Sequence, residues 1–198
     1  MSSRIIVAFL ELLLALQVVA QQPGSKPPTL REEAKRHGSI RSVYRGAGFP
    51  LTMDQVLDRA SVIIVGKIVA DSSHLSESEY SVLTDYKVRV ITVLKDTSGQ
   101  LVPGSIVTLT QLGGVTSVDG NTIEQQDPDN PLVKSSAPHL FIASRSREML
   151  KVYPAGTMRF TNGHAMCHSV SPQSFRDFCG KGEEELLDTI KTKLSQKK

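Results

Sequence analysis

The feature that most constrains the fold is the stretch "YSVLTDYKVRVITVL" at residues 80–94. Between Thr84 and Val90, the side chains of Tyr86, Val88 and Val90 fall on one side of an extended chain, and those of Asp85, Lys87 and Arg89 on the other. That period of two marks a strand with one buried and one wet face. Beyond Val90 the alternation gives way to Ile91, Val93 and Leu94, so the strand is expected to pass from half-exposed to fully buried. A strand of up to fifteen residues that changes environment in this way has to coil or carry a bulge, as strands of a barrel do.

Other segments fit around it. "SVIIVGKIVA" (61–70) is an apolar, β-branched run of strand length, with Gly66 where a bend or close approach is expected. A polar loop rich in Ser and Glu (71–79) follows it. "IVTLTQL" (106–112) and "HLFIAS" (139–144) read as further strands, as do "MLKVY" (149–153) and "TMRF" (157–160). Asp119-Gly120 and Asn162-Gly163 are two-residue hairpin signals, and "DPDNP" reads as loop. Ahead of the strands, "LTMDQVLDRA" begins with a capping-box pattern, Thr52 and Gln55, and puts Met53, Val56, Leu57 and Ala60 on one helical face. Two short helical pieces close the chain. Ser171 caps the first, Pro172 sits in its first turn, and Gly180 ends it. The second, "EEELLDTIKTKLSQKK", runs acids first and bases last, with Leu186, Leu187, Ile190 and Leu194 as a stripe to dock on the barrel.

Residues 1–20 read as a signal peptide: Arg4, an apolar run from Ile5 to Ala20, and the small residues Val18 and Ala20 before a cut. The run is short for a membrane span, and Glu11 interrupts it. No later stretch is long and apolar enough to cross a bilayer. Export to a secreted or periplasmic location makes a disulfide between the chain's two cysteines, Cys167 and Cys179, the expected state.

Net charge is +3, but residues 21–50 alone carry +4 and residues 51–198 carry −1. The basic pI therefore belongs to a segment rich in Pro and Gly, expected to be a flexible basic linker with room for one short helix at "LREEAKRH", whose acids precede its bases. A nucleic-acid surface wants cations interleaved with stacking aromatics. The aromatics of this segment are Tyr44 and Phe49, so nucleic acid is not the expected partner. The resulting division is 1–20 signal peptide, 21–50 linker, 51–170 barrel domain and 171–198 a C-terminal helical segment packed on the barrel.

The densest chemistry lies in "NGHAMCHS" (162–169), which holds His164, Met166, Cys167 and His168. On a helix, His164, Cys167 and His168 would share a face and could meet at a metal. After an Asn-Gly hairpin the stretch should instead be extended, with His164 and His168 about 13 Å apart and Cys167 facing away. Zinc ligands have to converge to about 2.0–2.3 Å from one ion. Haem attachment through Cys-x-x-Cys-His fails as well, since His164 stands where the first Cys belongs. Asp119, Asn121, Glu124, Asp127 and Asp129 gather oxygen ligands without EF-hand spacing. "QLGGV" lacks the spacing of a phosphate-binding glycine loop, and the chain carries neither G-x-S-x-G nor H-E-x-x-H. The expectation is therefore no catalytic, cofactor or metal residues. The alternative is a metal-binding protein or metal-dependent enzyme using His139, His164 or His168 with loop acids.

The segments "ASVIIVGKIV", "YKVRVITVLKD", "VPGSIVTLTQLGG", "HLFIAS" and "PAGTMRFTNG" resemble exported bacterial proteins of unknown function with a netrin-module or tissue-inhibitor-of-metalloproteinase-like domain. The resemblance covers about residues 54–165. It implies a mainly β, OB-like fold: a partly closed antiparallel barrel of five to seven strands, with a short N-terminal helix and C-terminal helical segments. Metalloproteinase inhibitors of this type present an N-terminal cysteine to the protease zinc, whereas the expected mature chain here begins at Gln21. "HLFIAS" also lacks the glycine and tyrosine common around that strand. The function expected is a non-catalytic module that binds an envelope or extracellular protein, peptide or glycan, with a protease-inhibitor-like module as a further alternative.

Overall fold

The computed structural model describes residues 26–44, 51–128, 130–167 and 173–196. The signal-peptide reading of residues 1–20, the cap at Ser171 and Pro172, Asp129 and His168 lie outside the described residues.

Five strands close into a ring: β2 (Val62–Leu75), β3 (Val82–Asp96), β4 (Ile106–Leu112), β7 (His139–Ser146) and β8 (Met149–Thr161). Around it the order is β2-β3-β4-β8-β7, antiparallel except where β4 meets β8 in parallel at Thr110 and Lys151. In chain order the first barrel strand therefore lies beside the second and fourth, and the third beside the fifth. This is an OB-like, partly closed barrel. A three-residue strand, β9 (His164–Met166), extends the sheet beyond β8 through the Asn162-Gly163 hairpin. Both residues of that turn have positive φ, 51° and 74°, as do Asp119 and Gly120 at the other predicted hairpin.

The unbroken apolar run of β2 follows from its surroundings. Val62 and Ile64 point into the barrel with Tyr86, Val88, Leu109 and Phe141. Ile63 and Val65 point outward, under α2 (Met53–Arg59), the single turn α3 (Gln173–Arg176) and α4 (Glu183–Ser195). A strand buried on both faces has no reason to alternate. The box at Thr52 and Gln55 forms as the sequence implies, each side chain meeting the other's backbone N–H. Leu186 and Ile190 of α4 are fully buried against the barrel. Lys193 Nζ reaches Asp54 Oδ1 at 2.8 Å, tying the two helices together. Lys95 donates to the last carbonyls of α2, Leu57 at 2.8 Å and Asp58 at 2.9 Å, where the helix dipole is negative.

Several boundaries differ from the sequence reading. β2 continues through Leu75 into the stretch read as loop, because register shifts along its pairing with β3 absorb the extra twist. Gly66 sits at one of these shifts. A Cβ there would lie 2.4 Å from Val88 Cγ1, so the close approach of β2 to β3 demands a glycine. β8 is one strand rather than two: Thr157 pairs with Phe141 and Val152 with Ala143, so the residues between bulge out and the ladder resumes. Past Val90, β3 does not become fully buried. Ile91 stays 42% exposed on the outer face.

The largest difference lies in the segment read as a linker. Residues 30–37 form the short helix that "LREEAKRH" allows, α1 (Leu30–His37), with a capping box of Thr29 and Glu32 that the sequence reading did not use. Residues 40–43 form β1 (Ile40–Val43), which pairs in parallel with β6 (Asn121–Gln126). Together with β5 (Gly114–Val118) these make a second sheet, ordered β1-β6-β5. Leu30 and Ala34 are buried against Val82 and Ile123, so two well-placed apolar residues suffice where the composition looked too polar. The glycines of "QLGGV" serve this junction. A Cβ on Gly114, φ 143°, would sit 2.5 Å from both Ser73 Oγ and Thr84 Oγ1, so only glycine lets the chain leave the barrel here for the second sheet.

Candidate functional site

The helices cover only part of the barrel wall. α2, α4 and the disulfide segment lie over β2, β7 and β8, while the outer face of the later half of β2, with β3 and β4, remains open. Pairing fixes which side chains share that face. Lys67 stands beside Arg89, and Arg89 beside Ile106. One step along, Ala70 stands beside Lys87, and Lys87 beside Thr108. Neighbouring strands lie about 4.8 Å apart and alternate residues about 7 Å apart, so the three cations form one compact group. Each is exposed, and none pairs with a carboxylate among the described residues; Lys87 Nζ donates to Thr108 Oγ1 at 2.8 Å. Val69, Ile91 and Ile106, 47%, 42% and 55% exposed, supply aliphatic surface around them.

The next row along the same face is hydrogen-bonded within itself. Asp85 accepts from Thr110 Oγ1 at 2.6 Å and meets His74 Nε2 at 3.2 Å. Beside the cations, a cleft of about 260 Å³ opens between the β3–β4 and β7–β8 loops, with Gln100, Thr108, Arg145 and Glu148 on its walls and Val62 and Leu150 at its base. Thr108 belongs to both, so face and cleft are continuous. The loop that frames the cleft is held by Asp96, which accepts from Ser98 N and Oγ, Gln100 N and Leu101 N at 2.7–2.9 Å. Burial pushes the Asp96 carboxyl up, and these four donors overcome it, holding it at about 2.

The residues singled out in the sequence are placed as follows. Cys167 and Cys179 are disulfide-bonded, the pairing expected, with Cα atoms 5.4 Å apart. The stretch around them is extended where described: His164 and Met166 face outward and Ala165 is buried between them. His164 Nδ1 meets the Gly180 carbonyl at 3.1 Å, tying the strand to the C-terminal segment. His139 is 3% exposed, donates from Nδ1 to the Ala137 carbonyl at 2.7 Å, and lies against the Phe141 ring. The hairpin acids have cationic partners. Asp119 pairs with Arg31 and Lys35, and Glu124 with Arg41. The Arg31 guanidinium, with Lys35, holds the Asp119 carboxyl below the usual range despite some desolvation. Among the described residues no group of three His, Cys, Asp or Glu is gathered as a metal site would need.

Lys87 and Arg89 were legible as outward-facing from the alternation alone. Lys67 was not, because its place beside Arg89 depends on the β2–β3 register and its bulges. Among the described residues, no helix is long and apolar enough to cross a membrane. Compared with known proteins, the chain matches no protein-family model and no curated protein.

Proposed function

We propose that this chain is an exported, non-catalytic binding module whose partner is an acidic protein or peptide held against the outer face of β2, β3 and β4. The observation that carries this is the group Lys67, Lys87 and Arg89, unpaired with any carboxylate among the described residues and set among Val69, Ile91 and Ile106. Cations left without partners on a sheet face stay hydrated until a ligand brings the opposite charge, and they steer its approach. Aliphatic rather than aromatic neighbours favour a peptide over a glycan or nucleic acid, both of which draw on ring stacking. OB barrels use this wall, with the adjoining loops, as their ligand face. Export is supported by the disulfide and by the leader pattern of residues 1–20, and the resemblance to netrin-module-like exported proteins agrees with it.

The test is fluorescence anisotropy with a labelled peptide of alternating Glu and Ile, alongside a Gln/Ile control, on the disulfide-intact chain. The expected result is saturable binding of the acidic peptide only, weakened at least about tenfold by Lys67→Glu, Lys87→Glu and Arg89→Glu together and by raised salt. Equal affinity of the triple variant, or tighter binding of a neutral glycan or single-stranded DNA, would replace this reading. The intact mass of the secreted protein tests export by reporting whether residues 1–20 are lost.

A further inference from the structure

We propose that residues 26–44 form an exchangeable strap, and that the β6 edge beneath it also accepts the same segment from a second copy of this chain. The strap is built differently from the barrel. Among the described residues its own core cluster comprises four buried residues, Leu30, Ala34, Val82 and Ile123, against fifteen and eleven in the two barrel clusters. With so little buried apolar surface, this is the part of the molecule that opens first. Ser42 Oγ in β1 is buried without a hydrogen-bond partner among the described residues, which weakens the strand further.

What holds the strap is specific to its sequence. Arg31 spans Glu79 and Asp119 at 2.7 and 3.1 Å, Lys35 adds to Asp119, and Arg41 meets Glu124 at 3.3 Å. β1 and β6 run in register from Ile40 beside Ile123 to Val43 beside Gln126. Once the strap lifts, β6 presents a row of unpaired backbone groups above an uncovered Ile123, with acidic side chains at its margin. Such an edge recruits another strand. In a solution of this protein, the segment that matches it in charge and register is the strap of another molecule. Reciprocal exchange remakes each of these contacts, so it costs association entropy rather than interactions.

The experiment uses full-length chain. Copies carrying Arg41→Cys are mixed with copies carrying Glu124→Cys, taken through mild denaturant, returned to buffer at high concentration and oxidised. The expected result is a disulfide between residues 41 and 124 of different chains, and a fraction of unmodified protein at twice the monomer mass by light scattering. In a single chain carrying both substitutions, prior oxidation locks the strap, and the dimer should disappear. A mixture that yields no 41–124 bond between chains would overturn the proposal, as would a dimer that persists in the locked variant. Neither outcome depends on an acidic ligand, so this proposal and the proposed function fail separately.

Discussion

Tyr86→Phe tests how the long loop before β7 is bolted to the barrel. Tyr86 is 1% exposed, and its hydroxyl accepts from the Val133 N–H at 3.1 Å while donating to Gln111 Oε1 at 3.3 Å. Gln111, also 1% exposed, donates onward to the carbonyls of Asn130 and Pro131. Removing one oxygen keeps the ring and its packing but strands a buried N–H and a buried amide oxygen. Each such group costs about 1–3 kcal/mol, and the long Tyr–Gln bond puts the total near 2–4 kcal/mol. Urea unfolding should therefore move to lower midpoint with unchanged slope.

The same residue sets a pH dependence. Burial raises the Tyr86 phenol to about 12, against a smaller opposing effect of the Val133 N–H. A folded value above the unfolded one near 10 means that stability is complete below pH ~10 and is lost as pH rises toward ~12. The span of about two pH units corresponds to at most roughly 3 kcal/mol. Tyrosinate absorbance should show a phase near pH 12, and Tyr86→Phe should remove that phase together with its share of the alkaline slope. A variant within about 0.5 kcal/mol of wild type, or one that keeps the late-ionising phase, would refute the network.

Other expectations are direct. Gly66→Ala forces a Cβ to 2.4 Å from Val88 and 2.9 Å from the Arg89 carbonyl, so a loss of roughly 2–3 kcal/mol is expected by chemical denaturation, since part of the obstruction is backbone. Replacing Cys167 and Cys179 together by Ser opens a loop spanning a separation of 12 and should cost roughly 3 kcal/mol, with early unfolding at the C-terminal segment by hydrogen exchange. Asp96 has a carboxyl held below its ordinary value, so its contribution is present above pH ~4 and lost as pH falls toward ~2. Asp96→Ala should remove that acid-side slope and loosen residues 98–101 at neutral pH. Raising salt to about 1 M should weaken the exposed pairs of Arg31, Lys35 and Arg41, and increase amide exchange in β1 before that of β3.

The sequence by itself determined the local order. Alternation at Thr84 to Val90 specified which side chains of β3 face water, Thr52 and Gln55 marked the start of α2, and both Gly-containing hairpins turned where their dipeptides require. It also set His164 and Met166 outward with Ala165 buried between them, because a strand sends successive side chains to opposite sides. These features depend on a few adjacent residues, so a short window contains the whole cause. The acids and bases of "LREEAKRH" marked the short helix α1 in the same way, and the box of Thr29 and Glu32 ahead of it was equally legible.

Tertiary structure decided the rest. Arg31 finds Asp119 across 88 positions, and β1 adds itself in parallel to β6, so a segment that reads as loose becomes part of the fold. Lys67 joins Lys87 and Arg89 only through a bulged register, and the wall they share is open because α2 and α4 cover the opposite side. Complementary charge and shape between distant segments carry no period along the chain. Their energies exist only once the barrel has brought the partners within reach.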